Sequence, residues 1–258
     1  DPSLGVGGLP QSATGQTTLL TGENAALVLG RHLYGYPTKT LRTVLMRASV
    51  LKRLVAAGGR AVFLNAFRQI FFDLGEAVWQ KPLSATTWAN RAAGLPFMTM
   101  EDLRAGRAVY QDITHDSLAQ RGVDLPLREP EVAGEILARA SGAADLTLFE
   151  FFQTDKAGHA RDVGKAVHEL EKLERFLGAF LGAVDLEATT VVLTSDHGNV
   201  ENLGTKSHTH NPVPTLVFGP DAEAVSGFLD RLERFAGMFL ELTGYGDGAG
   251  GPGAGEPD

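Results

Sequence analysis

The stretch Asp145-Leu-Thr-Leu-Phe-Glu-Phe-Phe152, running on into Gln-Thr-Asp-Lys-Ala-Gly-His159, decides the fold class. Its first part is almost continuously apolar or β-prone, the pattern of a strand buried on both faces of a parallel sheet. Its second part turns polar. Beyond it, Val163, Val167, Leu170, Leu173, Leu177 and Leu181 recur at helical spacing, which predicts a long amphipathic helix burying that stripe. Working outward, three more segments read as strands: Arg60 to Asn65, Thr189 to Thr194 and Pro214 to Phe218. Helical periodicity fills the intervals. Leu41, Val44, Leu45, Ala48, Leu51, Leu54 and Val55 predict one helix ended by Gly58-Gly59. Further helices are expected over Ser84–Ala93 and over Glu131–Ala140, the latter with Val132, Ile136 and Leu137 on one face. A last helix is lined by Val225, Phe228, Leu229, Leu232, Phe235 and Phe239. Strands separated by helical crossovers predict an α/β fold around a largely parallel sheet. The Phe149–Phe152 run is core strand, not an aromatic cage.

Composition narrows the function classes. The chain has 258 residues, 43% hydrophobic and 21% charged, enough to bury a substantial core in one or two domains. We expect a single domain over residues 1–242, with a small cap or elaborated connection at about 79–128. Residues 243–258 are rich in Gly and Pro and nearly devoid of large apolar groups, so a disordered tail is expected. With 23 basic against 31 acidic residues the net charge is −8, and no basic tract argues for nucleic acid. No apolar run reaches the length of a membrane helix. The absence of Cys removes disulfides, sulfur-based zinc sites and a Cys nucleophile. The chain opens Asp1-Pro2-Ser3 rather than with Met, so a fragment or processed product is expected. No signal peptide is visible, which points to the cytoplasm. Oligomeric state is not readable from the sequence.

Four of the seven His fall in three polar clusters beside predicted strands. In Asp155-Lys-Ala-Gly-His159, Asp155 and His159 are four apart and face one point if helical; the alternative is that Asp155 caps the long helix. Thr194-Ser-Asp-His-Gly-Asn199 places Asp196 and His197 in a strand-end turn, where an ordinary Asx turn is the alternative. Ser207-His-Thr-His-Asn-Pro-Val-Pro214 leads into the next strand, with His208 and His210 pointing the same way if extended. Carboxylate and imidazole donors without sulfur suit Zn²⁺ or Mn²⁺. Near the start, Ser12 lies beside a short predicted helix, where free N–H groups favour a phosphate; a plain N-cap is the alternative.

Taken together, these residues resemble the alkaline phosphatase superfamily, most of all the branch of cofactor-independent phosphoglycerate mutase and phosphopentomutase. The matching motifs are Ser12-x-x-Gly15, Asp155-x-x-x-His159, Ser195-Asp-His-Gly-Asn199 and His208-Thr-x-Asn-Pro-Val-Pro214, within a span from about Gly8 to Pro220. The resemblance implies a three-layer α/β sandwich and two divalent metal ions, Mn or Zn. One ion would take Asp155, His159 and His208; the other would take Asp196, His197 and Ser12. It also implies that Ser12 attacks phosphorus and becomes a phosphoserine, on a small phosphorylated substrate.

Three departures from that pattern shape the expectation. The family's second metal takes an Asp from a strand ahead of the nucleophile. No such strand precedes Ser12, so the first strand is expected to be missing from this chain. Gln16 stands where the mutases carry a His, and the segment between Gly22 and Asp145 is shorter than their inserted domain. A phosphatase or mutase-like transferase is therefore the leading expectation. A sulfatase or phosphodiesterase of the same superfamily, or a non-catalytic metal-binding or interaction domain, are the alternatives. Arg31, Arg68 and Arg161 are candidate phosphate clamps, with solvated surface positions as the simpler reading. Lys156 and Asn199 lie inside the metal motifs. His210 is left out of the ligand set, and His115 and His168 read as structural.

Overall fold

The computed structural model describes residues 1–246. Helix α1 (Ser12–Thr21) lies at its centre, with Ala13, Thr14, Gly15, Thr17, Thr18, Leu20 and Thr21 buried. Threonine is a poor helix former because its hydroxyl competes for backbone partners. Here that competition is turned inward. Thr17, Thr18 and Thr21 donate to the carbonyls of Ala13, Thr14 and Thr17 at 2.6, 2.9 and 2.7 Å, so their hydroxyls are satisfied in the core.

Helices α2 (Ala25–Leu29), α3 (Lys39–Ala48) and α4 (Val50–Ala56) follow. The periodicity from Leu41 to Val55 predicts one helix; the chain breaks it at Ser49. That residue leaves helical geometry (φ −61°, ψ 140°) and its hydroxyl accepts from Lys52 N at 3.3 Å, capping α4. Periodicity carries through the break because Leu45, Leu51 and Leu54 all enter one core cluster with Leu20, Trp88 and Leu240.

Strand β1 (Ala61–Phe63) leads to α5 (Gln69–Asp73), a 3₁₀ turn over Gly75–Gln80, and helices α6 (Ala85–Ala92), α7 (Met100–Arg104) and α8 (Asp116–Ala119). Parallel bridges from Asn65 to Val109 and from Ala66 to Met98 stitch this stretch to the end of β1. Then come α9 (Pro130–Ser141), β2 (Leu146–Leu148), α10 (Gln153–Ala160), α11 (Val163–Ala183), β3 (Val191–Thr194), β4 (Thr215–Phe218), α12 (Ala222–Phe228), a 3₁₀ turn over Leu232–Arg234, and α13 (Phe235–Leu242). The predicted last helix is thus two helices and a turn. Of the expected tail, Thr243–Gly246 closes α13, with Tyr245 N donating to Leu240 O at 2.8 Å. The rest of that expectation lies outside the described residues.

The fold is mixed α/β. Strands β1 and β2 pair in parallel, Ala61 opposite Leu146 and Phe63 opposite Leu148. Strands β3 and β4 pair antiparallel, Val191 opposite Phe218, where crossover spacing predicts a parallel partner. The reason is local: no helix lies between β3 and β4, and a loop alone returns the chain antiparallel. Among the described residues the two pairs are not hydrogen-bonded to each other. Helices cover both faces of the parallel pair. Ala61, Leu146 and Leu148 pack on the cluster of Leu20, Leu45 and Trp88. Val62 and Phe149 pack with Ile136, Phe176 and Phe180 of α9 and α11, as does Val191 of β3.

The buried stripe of α11 is rotated from the predicted one. Leu173, Leu177 and Leu181 do pack on the α9 cluster, but Val163, Val167 and Leu170 are exposed. Ala166, Glu169, Lys172, Phe176 and Phe180 are buried instead. A buried ion pair allows this: Lys172 Nζ lies 2.9 Å from Glu169 and 3.7 Å from Asp116. Val132 of α9 is likewise exposed, while Ile136 and Leu137 are buried as expected. No helix among the described residues is long and apolar enough to cross a membrane.

Candidate metal centre and active site

The six candidate residues come from four places in the chain and meet at the ends of β2 and β3. Helix α10 starts just past β2 with Phe152 at its N-cap, so Asp155 does not cap it; Asp162 caps α11 by accepting from Lys165 N. Asp155 and His159 therefore sit one turn apart on α10, facing the same way. The loop after β3 supplies Asp196, His197 and His208. Helix α1 supplies Ser12 at its first position, with Gln11 at the N-cap, so the plain-cap alternative for Ser12 does not hold either.

Asp155, His159 and His208 bring one donor atom each within 4.8 Å of one another. His159 Nε2 is 3.1 Å from His208 Nε2, and the Asp155 carboxylate oxygen lies 3.5 and 3.4 Å from the two rings. The opposite ring nitrogens are engaged elsewhere: His159 Nδ1 donates to Lys206 O at 2.7 Å and His208 Nδ1 to Pro10 O at 2.8 Å. Those bonds place the proton on Nδ1 and turn both Nε2 lone pairs toward Asp155. Two lone pairs and a carboxylate facing one point require a proton or a cation. Asp155 Oδ1 is buried and has no hydrogen-bond partner, so the donor set fits a divalent ion of the Zn²⁺ or Mn²⁺ kind.

The second group lies against the first. His197 and His208 stack at 3.7 Å between ring centroids, 14° from parallel. Ser12 Oγ is 2.9 Å from His197 Nε2, and Asp196 Oδ2, also buried without a partner, is 3.5 Å from the same nitrogen. A carboxylate, an imidazole and a hydroxyl oxygen thus converge on one point. Two glycines permit this closeness. A Cβ on Gly15 would sit 2.6 Å from Asp196 O, and one on Gly158 would collide with the Asn199 side chain.

Electrostatics follow from this packing. Burial raises the Asp196 carboxyl above its ordinary value, against the lowering influence of His197. Burial pushes Asp155 up too, but the neighbouring imidazoles of His208, His197 and His159 carry it below the ordinary value. For His208 burial works downward, and the nearby Asp155 carboxylate with the Pro10 carbonyl carries it above.

Two carboxylates escaped the sequence reading. Glu201 fastens the loop by accepting from Asn199 N at 2.6 Å, from Asn211 Nδ2 at 3.0 Å and from the Thr209 hydroxyl. Glu150 stands just past β2, its backbone bracketed by the Asn65 side chain and its carboxylate bonded to Thr86 Oγ1 at 2.6 Å. Desolvation, reinforced by the charge of Asp196, raises it to about 7 despite hydrogen bonds from Thr86 and Gln16. The signal was available: Glu150 is the one charged residue in the run Leu146–Phe152.

The other candidates separate. His210 is exposed while His208 is buried, so the two do not point the same way. Arg31 and Arg68 are exposed, and Arg161 is held by Leu203 O at 3.1 Å. Lys156 rests over the Phe152 ring at 4.6 Å. Asn199 is buried with its Nδ2 unpartnered. His115 is buried and bonded to Pro126 O, and His168 is exposed on α11.

Residues 129–244 match the family model described as the Metalloenzyme superfamily, a span that contains Asp155, His159, Asp196, His197 and His208. That segment is similar to the alkaline-phosphatase-like metalloenzymes, near the cofactor-independent phosphoglycerate mutases. The 2,3-bisphosphoglycerate-independent phosphoglycerate mutase of Methanopyrus kandleri is 31% identical over 144 residues, 52% of this chain and 33% of the relative. Those of Syntrophotalea carbinolica and Halobacterium salinarum are 32% and 33% identical, each over 45% of this chain and 24% of the relative. The chain therefore spans about a quarter to a third of the length of these three relatives. The PH0037 protein from Pyrococcus horikoshii shares the fold at a TM-score of 0.50 and 18% identity, over 75% of this chain and 51% of that one.

Proposed function

We propose that this metalloenzyme carries out metal-dependent phosphoryl transfer on a small phosphate monoester, with Ser12 as nucleophile. The observation that carries the reading is the meeting of Ser12 Oγ with His197 Nε2 at 2.9 Å, beside the lone-pair cluster of His159, His208 and Asp155. Asp155, His159 and His208 would hold one divalent ion, and Asp196, His197 and Ser12 a second. Such ions, when bound, neutralise charge on the transferring group and acidify a coordinated oxygen. Ser12 itself lies in the first turn of α1, where free backbone N–H groups favour phosphate oxygens. Its Oγ gives up its proton and forms the new bond to phosphorus while the ester bond breaks, and the departing alkoxide takes up a proton and leaves as the alcohol. Water, or an acceptor hydroxyl, then takes the phosphoryl group from Ser12.

The family's three-layer sandwich is part of the same proposal. Support comes from helices on both faces of β1 and β2, and from the separation of the β1/β2 pair from the β3/β4 pair. A strand from outside this sequence would join them and bring a further carboxylate to the second ion.

The test is phosphate release from a panel of aryl and alkyl phosphate esters, with diesters and aryl sulfates alongside, in the presence of Mn²⁺ or Zn²⁺. The proposal expects monoester turnover that disappears in Ser12→Ala while bound metal is kept. Turnover in Ser12→Ala overturns the covalent route. Preference for diesters or sulfates reassigns the chemistry, and metal binding without turnover of any ester favours a binding role.

A further inference from the structure

We propose that Tyr34 is a substrate-contacting residue that makes the site prefer phosphate esters whose leaving group carries a ring over short open-chain esters. This rests on the phosphoryl-transfer reading above.

Tyr34 is 69% exposed, yet its ring lies beside the donor cluster, 6.4 Å between centroids from both His159 and His208. It meets His159 edge-on at 74° and His208 at 33°. An exposed aromatic is ordinary on a surface. This one is held in place from both sides. Gly30 and Gly35 flank its loop at φ 70° and 75°, a backbone region that favours glycine. Between them His32 Nε2 reaches Ser3 O and Val6 O at 3.0 and 3.2 Å. Leu33 N donates to Thr14 Oγ1 at 3.4 Å, and the Leu33 side chain packs with Ala13, Ala25 and Leu41. Past Tyr34, Pro37 O accepts from Arg42 Nε at 2.9 Å. Thr14 is two residues beyond Ser12, so the loop and the nucleophile are positioned by the same helix turn.

Protein groups occupy several sides of the cluster. Pro10 O stands behind His208, Lys206 O behind His159, the His197 ring covers one face of His208, and Gly158 packs on Asn199. An ester engaged at Ser12, beside this donor cluster, has the Tyr34 ring as an exposed aromatic surface next to it. A phenol ring offers an apolar face and an edge to another ring, and little to a short charged chain. The Tyr34 hydroxyl makes no hydrogen bond among the described residues, so the ring itself is the recognising surface.

The test uses phenylphosphonate and methylphosphonate, which carry the same head group and do not turn over, titrated calorimetrically into Mn²⁺-loaded protein. Wild type is expected to bind phenylphosphonate about threefold to tenfold more tightly, the scale of one aromatic contact. Tyr34→Phe should keep that ratio and Tyr34→Ala should bring it close to one, with metal content unchanged in both. Binding of both phosphonates with the same ratio in wild type and Tyr34→Ala overturns the role of Tyr34 alone. Loss of the ratio in Tyr34→Phe overturns the ring and assigns the hydroxyl. Failure of metal-loaded wild type to bind either phosphonate overturns the phosphoryl-transfer reading and this proposal with it.

Discussion

His159 and His208 point their Nε2 atoms at each other across 3.1 Å, while each commits its Nδ1 proton to a backbone carbonyl. The two lone pairs repel unless something positive lies between them. Without a metal a proton can take that place, and the Asp155 carboxylate favours it by holding His208 above its ordinary value of 6.5 against the effect of burial. A raised imidazole stabilises the fold fully below the unfolded value, and the contribution is lost as pH rises through the folded one. A metal needs the neutral ring. Metal affinity should therefore rise with pH, by about tenfold per unit for one displaced proton, levelling off above the raised His208 value. Calorimetric Mn²⁺ titrations from pH 6 to pH 8.5 check this; a pH-independent affinity would exclude His208 as a ligand.

Glu150 supplies a pH dependence of its own. Its carboxyl is pushed from 4.5 up to about 7. Its contribution is complete below 4.5 and is lost as pH rises through 7, a change of at most about 3 kcal/mol. Glu150→Gln keeps the side chain neutral, so metal-free variant and wild type should agree near pH 5 and diverge by pH 8, with the variant more stable. Urea denaturation at the two pH values measures the divergence, and parallel curves would refute it.

Gly15 fixes how near α1 comes to the loop after β3. Gly15→Ala forces a methyl against Asp196 O. Overpacking of this kind costs about 1–3 kcal/mol, and here it moves Ser12 away from Asp196 and His197. The variant should lose turnover more completely than it loses thermal stability. Full activity with a lowered melting temperature would show that the contact is structural only.

Glu201 ties Asn199, Thr209 and Asn211 into one loop. Burial raises its carboxyl, but the hydrogen bonds from Thr209 and Asn211 carry it below the ordinary value. Its contribution holds above 4.5 and is lost as pH falls through the folded value. Glu201→Gln should cost about 1 kcal/mol and speed amide exchange in residues 198–211 while leaving α9 and α11 unaffected. Unchanged exchange in the loop would remove Glu201 from this role.

Much of this was legible because the ligand motifs are local. Asp155 and His159 share a helix turn, and Asp196 and His197 are adjacent, so spacing alone places them together. The strands were legible because Val191–Thr194 and Leu146–Leu148 lie in short β-prone runs. What escaped depends on distant partners. The α11 stripe rotated because Lys172 found Glu169 and Asp116, a contact that periodicity does not encode. The break at Ser49 was hidden because both helix pieces feed one core. Tyr34 lay in a glycine-bracketed loop whose course is set by His32 reaching back to Ser3 and Val6.

The most direct test of the central claim is elemental analysis of the folded protein after equilibration with Mn²⁺ and Zn²⁺ and removal of the excess. The account predicts at least one bound ion per chain, held by Asp155, His159 and His208, and lost in both His159→Ala and His208→Ala. A folded wild type that retains no ion, or variants that retain as much as wild type, would contradict it.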